Sequence, residues 1–335
     1  MKKLFAVLLI LSLCLSMLAC RWEPKKEAVT DDYSVEIKEY TAKDTEEHVE
    51  PIRNEVTPIL YEVTDGDGHS IWLFGSIHVG TEDFYPLPDY VTDAFERCDA
   101  LAVEFDIVAY ENDMAAQMET MTRMLYNDGT TIRDHISEEL YNSAVVIMEE
   151  CGIYNSMLDY YIPSVWESFI IQCITEQLGV DMDLGVDRHL IDLAYESDKR
   201  ILDVESADFQ TQMMADFSEE LQIYLLKEMV ESYDESDEYD KELQELMDFW
   251  ASGDEERFNE YLEDEVPEDP EEYKLYEEYN RAMLLDRNDN MTEYAVDALT
   301  KNKELFICVG AAHVMGESGM AEQLRGLGYT VERVN

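Results

Sequence analysis

The chain has 335 residues, with 77 acidic side chains against 24 basic ones and a formal net charge of −53. A surface that negative repels phosphate backbones, which excludes nucleic acid as a partner class. Hydrophobic residues make up 46% of the chain and aromatic residues 11%, enough for a large core, which excludes a disordered chain.

The first predicted element is a targeting segment. A basic start, "MKK", precedes the apolar run "LFAVLLILSLCLSML", and a small residue, Ala19, precedes Cys20. The run is too short and wrongly flanked for a transmembrane helix, so residues 1–19 read as a signal peptide. The pattern resembles a bacterial lipoprotein signal, in which Cys20 becomes a lipidated N-terminus; plain secretion with cleavage nearby is the other reading. Either way the protein is exported, and with the lipid it is anchored at the extracytoplasmic face of the membrane. Residues 20–55 are charged, lack periodicity and read as a tether.

A folded domain is expected over residues 56–335. "ILYEV" and "SIWLF" flank "TDGDGH", a turn-forming stretch, which predicts a β-hairpin. Pro88 opens a short helix to Arg97, and "ALAVEFD" is a third strand. From Tyr110 to Asp181 the apolar spacing is helical, with Ser137 as an N-cap and Gly179 closing "PSVWESFIIQCITEQLG". "VDRHLIDLAYES" is a further helix that feeds the strand "RILDV". Residues 208–300 are acid-dense helices with one apolar stripe, interrupted at "VPEDPEEY". The end returns to "ELFICV" strand, "GAAHVMGESG" loop, "MAEQLRGLG" helix and "YTVERV" strand, which predicts parallel pairing of the two strands through a right-handed crossover. The fold class is therefore α/β: a mixed central sheet with strands from both ends of the chain and a large helical lobe inserted over about 108–300.

Two of the six histidines share a local setting, Gly75-x-x-His78 and Gly310-x-x-His313, each just after an apolar strand. Glu104 and Glu205 end two other predicted strands. Ligands bind outside the carboxyl ends of strands in such sheets, so the four residues are candidates for one site. Singly, each has an ordinary structural reading; together, two imidazoles and two carboxylates suit zinc, manganese or cobalt. There is no His-Glu-x-x-His, no Gly-x-Ser-x-Gly elbow, no Cys-x-x-Cys and no phosphate-loop lysine.

The two Gly-x-x-His motifs, "LAVEFD", "LGVDRHLIDLAYESDKRILDVES", "LLDRNDNM" and "FICVGAAHVMGESGMAEQLRGLGYTVERV" together resemble the TraB/GumN family over residues 57–335. That family includes plasmid pheromone-shutdown proteins and the animal TIKI Wnt-cleaving metalloproteases. The resemblance implies a fold related to erythromycin-esterase and haem-binding ChaN-like proteins, and a metal-dependent peptidase acting on an extracellular peptide. It implies His78, Glu104 and His313 as ligands of a divalent ion (Mn, Co or Zn), Glu205 as general base and Arg287 as oxyanion stabiliser. Asp187 and Gln210 are expected to line the substrate cleft. The alternatives are a non-enzymatic binder of a peptide or haem-like ligand, and a metal-independent esterase-like hydrolase. The peptide substrate and the lipid-bound membrane are the partners expected.

Overall fold

The computed structural model describes residues 56–334 apart from 179, 181, 235, 263–265 and 302. The signal peptide, Cys20, the tether and Gly179 therefore lie outside the described residues. Six strands form one sheet: β1 (Leu60–Thr64), β2 (Ser70–Ser76), β3 (Ala100–Val103), β4 (Arg200–Asp203), β5 (Leu305–Gly310) and β6 (Thr330–Arg333), in the spatial order β4-β3-β5-β2-β1-β6. This is a mixed α/β architecture with strands drawn from both ends of the chain.

The hairpin forms as its turn chemistry dictates. Asp65 folds its Oδ1 back to accept from the amides of Asp67 and His69, each at 2.9 Å, and Gly68 takes φ +89°. β1 and β2 then pair antiparallel, with Leu60 opposite Phe74 and Val63 opposite Ile71. β2, β5, β3 and β4 run parallel, so their carboxyl ends share one rim. β5 is buried along its whole length, as a strand covered on both faces must be.

The last strand corrects the sequence reading. β6 does not pair with β5; it pairs antiparallel with β1, Tyr61 opposite Arg333 and Val63 opposite Val331. Both flanks of β5 are already occupied by β2 and β3. The largely exposed "TVER" suits an edge, where a polar strand blunts further pairing. The loop "GAAHVMGESG" also holds a short helix, Ala311–Val314.

Helices fill the long interval between β3 and β5, which β4 interrupts at the sheet edge. Ser137 caps Glu138–Glu150 as expected, its Oγ accepting from the Leu140 amide at 3.1 Å. The acid-rich helix Ser236–Ser252 is tied to the sheet by Trp250: its Nε1 donates to the Gly75 carbonyl at 2.8 Å and its ring lies 4.8 Å from that of Phe84. Among the described residues no helix is long and apolar enough to cross a membrane.

Candidate functional site

The two glycine–histidine motifs lie side by side. β2 and β5 are neighbours, with Gly75 opposite Val309 and Ser76 opposite Gly310. A Cβ on Gly75 would stand 3.0 Å from the Cα of Ala311, so the first motif needs glycine to let the second turn away from the sheet above it. Gly310 then ends β5 and begins the Ala311–Val314 helix that carries His313.

The parallel strands deliver four side chains to their common rim. Glu104 follows β3, Glu205 follows β4, His78 follows β2 and His313 follows β5. Backbone pairing runs past the strand ends, since the Glu205 amide donates to the Glu104 carbonyl at 2.8 Å, which fixes the two acids as neighbours.

Arg287 joins the acids. It follows a π-helical segment, Arg281–Leu285, at the start of helix Asp286–Thr300; π-bulges recur where a helix must aim a functional side chain. The guanidinium is 1% exposed. Its Nη2 donates to Glu104 Oε2 at 2.6 Å and to Glu205 Oε2 at 2.8 Å, and its Nε donates to Glu205 Oε1 at 2.9 Å. Gln210 completes the bridge, with Nε2 2.9 Å from both Glu104 Oε2 and Glu205 Oε2. Glu104 Oε1 accepts from the Gly310 amide at 2.9 Å. Burial opposes the charge on Glu104, but the Arg287 guanidinium, with protonated His78 and the Gly310 amide, overrides it and holds the carboxyl well below its ordinary range.

The imidazoles occupy opposite electrostatic environments. His78 Nδ1 bonds Asp187 Oδ2 at 2.7 Å, and its Nε2 stands 3.9 Å from Glu104 Oε1, beyond hydrogen-bond length. Burial lowers its affinity for a proton, yet the charge and hydrogen bond of Asp187, with the Glu104 carboxylate behind them, together outweigh burial and raise the pKa to about 9. The Asp187 helix, Val186–Glu196, is docked there by the Val186 amide, which donates to Ile77 O at 2.8 Å. Gly185 permits that approach: a Cβ on it would meet the His78 carbonyl at 2.5 Å. His313 is fully buried, bonds Asn288 Oδ1 through Nδ1 at 2.6 Å and has no partner at Nε2. Burial and the Arg287 guanidinium push its pKa down to about 3.

The structure thus gathers His78, Glu104, Asp187, Glu205, Gln210 and Arg287 at one rim, with His313 in electrostatic reach of Glu104 and His78. Asn288, which holds His313, was not singled out by the sequence; its only signal is adjacency to Arg287 in "LLDRNDNM". The donor set does not fit a resident divalent ion. Both oxygens of Glu104 are engaged, and the guanidinium beside it repels a second cation. Among the described residues no group of three His, Cys, Asp or Glu side chains is arranged to hold a metal ion.

Residues 59–333 match the model of the TraB/PrgY/gumN family. Similar proteins include the "Uncharacterized protein YbaP" of Shigella flexneri, 24% identical over 273 residues that cover 80% of this chain and 92% of the relative. Another is the "Uncharacterized protein YbaP" of Escherichia coli (strain K12), 23% identical over 277 residues, 81% of this chain and 94% of the relative. No solved structure matches.

Proposed function

We propose, given that the chain belongs to the TraB/PrgY/gumN family, that the strand-end cluster is the reaction centre of a metal-independent hydrolase acting on an extracellular peptide. One observation carries this reading. Two imidazoles that follow adjacent strands each hold Nδ1 on a fixed acceptor, while neither makes a hydrogen bond through Nε2, and their environments drive them to opposite protonation states. Groups whose pKa values are pushed apart in this way divide into an acid and a base.

In this scheme neutral His313 takes a proton from water at Nε2, and the water oxygen adds to the scissile carbonyl. Protonated His78 gives its Nε2 proton to the leaving amine as the carbon–nitrogen bond breaks. Asp187 keeps His78 charged and oriented, as an acid does behind a catalytic histidine. Arg287 and Gln210 hold Glu104 and Glu205 in place, so neither carboxylate takes a proton from water. Glu104 faces His78 as a fixed negative neighbour.

Incubation with mixed peptides, read by mass spectrometry, is expected to give cleavage that survives a chelator. His78→Gln should lower kcat roughly 10²- to 10⁴-fold. The rate should fall above about pH 9, where His78 loses its proton. Activity lost on chelation and restored by Mn²⁺ would overturn the metal-free scheme; tight peptide binding without turnover would point to a binder instead. The proposal includes export and a lipid anchor at Cys20. Radiolabelled palmitate should enter the wild-type chain and not the Cys20→Ser variant, and equal labelling would refute the anchor.

A further inference from the structure

We infer that Asn288 is a positioning residue that locks His313 in its Nδ1–H tautomer, which leaves Nε2, a buried atom with no hydrogen-bond partner, unprotonated. The assignment rests on a chain of hydrogen bonds, each of which has only one sense. Asn288 Nδ2 lies 3.0 Å from the Ser318 carbonyl, which can only accept. The amide nitrogen must therefore face Ser318, and Oδ1 must face the imidazole. A flipped amide would set Oδ1 against the Ser318 oxygen and bring its NH2 to His313. Oδ1 also can only accept, so the proton in the 2.6 Å contact to His313 belongs to Nδ1. A neutral imidazole with a proton on Nδ1 carries a lone pair on Nε2. Full burial and the nearby guanidinium keep the ring neutral.

Histidine in water favours the other tautomer, with the proton on Nε2, so this form is one the fold has to impose. The loop after His313 is built for it. Gln323 Nε2 donates to the same Ser318 carbonyl at 3.0 Å, which fixes the acceptor in space. Gly319 permits the loop to close, since a Cβ there would stand 2.2 Å from the Met315 carbonyl. The stretch "MGESG" thereby acquires a role in presenting Ser318 to Asn288. Adjacent residues of one helix then serve the two halves of the cluster: Arg287 gathers the carboxylates and Asn288 sets the imidazole.

The tautomer assignment stands on geometry; only its consequence for turnover rests on the hydrolase reading. Long-range proton–nitrogen NMR of the full chain tests it, with the His313 signals identified by their loss in His313→Gln. The wild type should show His313 with a protonated Nδ1 and a bare Nε2. Asn288→Ala should move the proton to Nε2. If the protein hydrolyses peptides, kcat should fall roughly ten- to hundredfold in Asn288→Ala with KM little changed. A wild-type spectrum with the proton on Nε2 overturns the inference, as does an unchanged pattern in a folded Asn288→Ala. The wild-type spectrum decides the matter even where a variant fails to fold. Absence of any hydrolysis would refute the functional reading and leave the tautomer to the spectrum.

Discussion

Arg287→Met is expected to lower folding stability by about 3–5 kcal/mol and to abolish turnover. Removing the guanidinium strands two carboxylates in the protein interior. Glu104 is 7% exposed, and the Glu205 side chain is 4% exposed. Gln210 alone cannot neutralise them; it offers an amide dipole where Arg287 offers a charge and three short hydrogen bonds. Lysine is no remedy, because one ammonium cannot span two carboxylates in the forked geometry of a guanidinium. Adding Glu104→Gln and Glu205→Gln to Arg287→Met should recover most of the stability, since neutral amides need no counter-charge, while turnover stays lost with the site rebuilt. Urea unfolding followed by circular dichroism measures all three; a single Arg287→Met as stable as the wild type would show that the network carries no buried charge. The pH dependence agrees in sign. Glu104 has a folded pKa below its ordinary 4.5, so its contribution is complete above that pH and drains away as pH falls.

How much of this was legible beforehand depended on whether the information was local. The hairpin, the Ser137 cap and the two Gly-x-x-His stretches announce themselves through turn residues and short apolar runs, and the structure has those elements. The convergence of four strand ends followed from them, because a parallel sheet puts every carboxyl end on one rim. Partner choice was not legible. Glu104 and Arg287 stand 183 positions apart, and a chain with 77 acids and 24 bases offers many other pairings. The two carboxylates read as reactive groups, whereas the structure binds both to one guanidinium. Placing β6 needed to know that β5 already had two neighbours, which no pattern in "YTVERV" records. Asn288 needed the phase of a helix that begins with a π segment, and regular spacing cannot supply that phase.

Glu167 was hidden in the same way, inside the apolar run "SVWESFIIQC", and it yields the second large effect. A lone acid in such a run suggests a side chain reaching for solvent. Instead it is 1% exposed on helix Pro163–Leu178, its Oε1 has no hydrogen-bond partner, and burial raises its pKa to about 8. At neutral pH it is therefore a protonated acid in the folded protein and a carboxylate in the unfolded chain. The unfolded state binds fewer protons between its ordinary pKa of 4.5 and about 8, so stability falls across that window and levels off above it. At 1.36 kcal/mol per pH unit, the loss reaches roughly 3 kcal/mol by pH 7. Glu167→Gln keeps the shape and removes the ionisation, so it should stabilise the protein by up to about that amount at pH 7, a rise in Tm of several degrees. At pH 4.5, where unfolded Glu167 is itself half protonated, the two proteins should differ little. Thermal melts of wild type and variant across pH 4.5–8.5 give the comparison. Parallel curves would mean that Glu167 finds a counter-charge or water in solution; curves that separate steadily as pH rises would show that the folded protein holds it as a buried neutral acid.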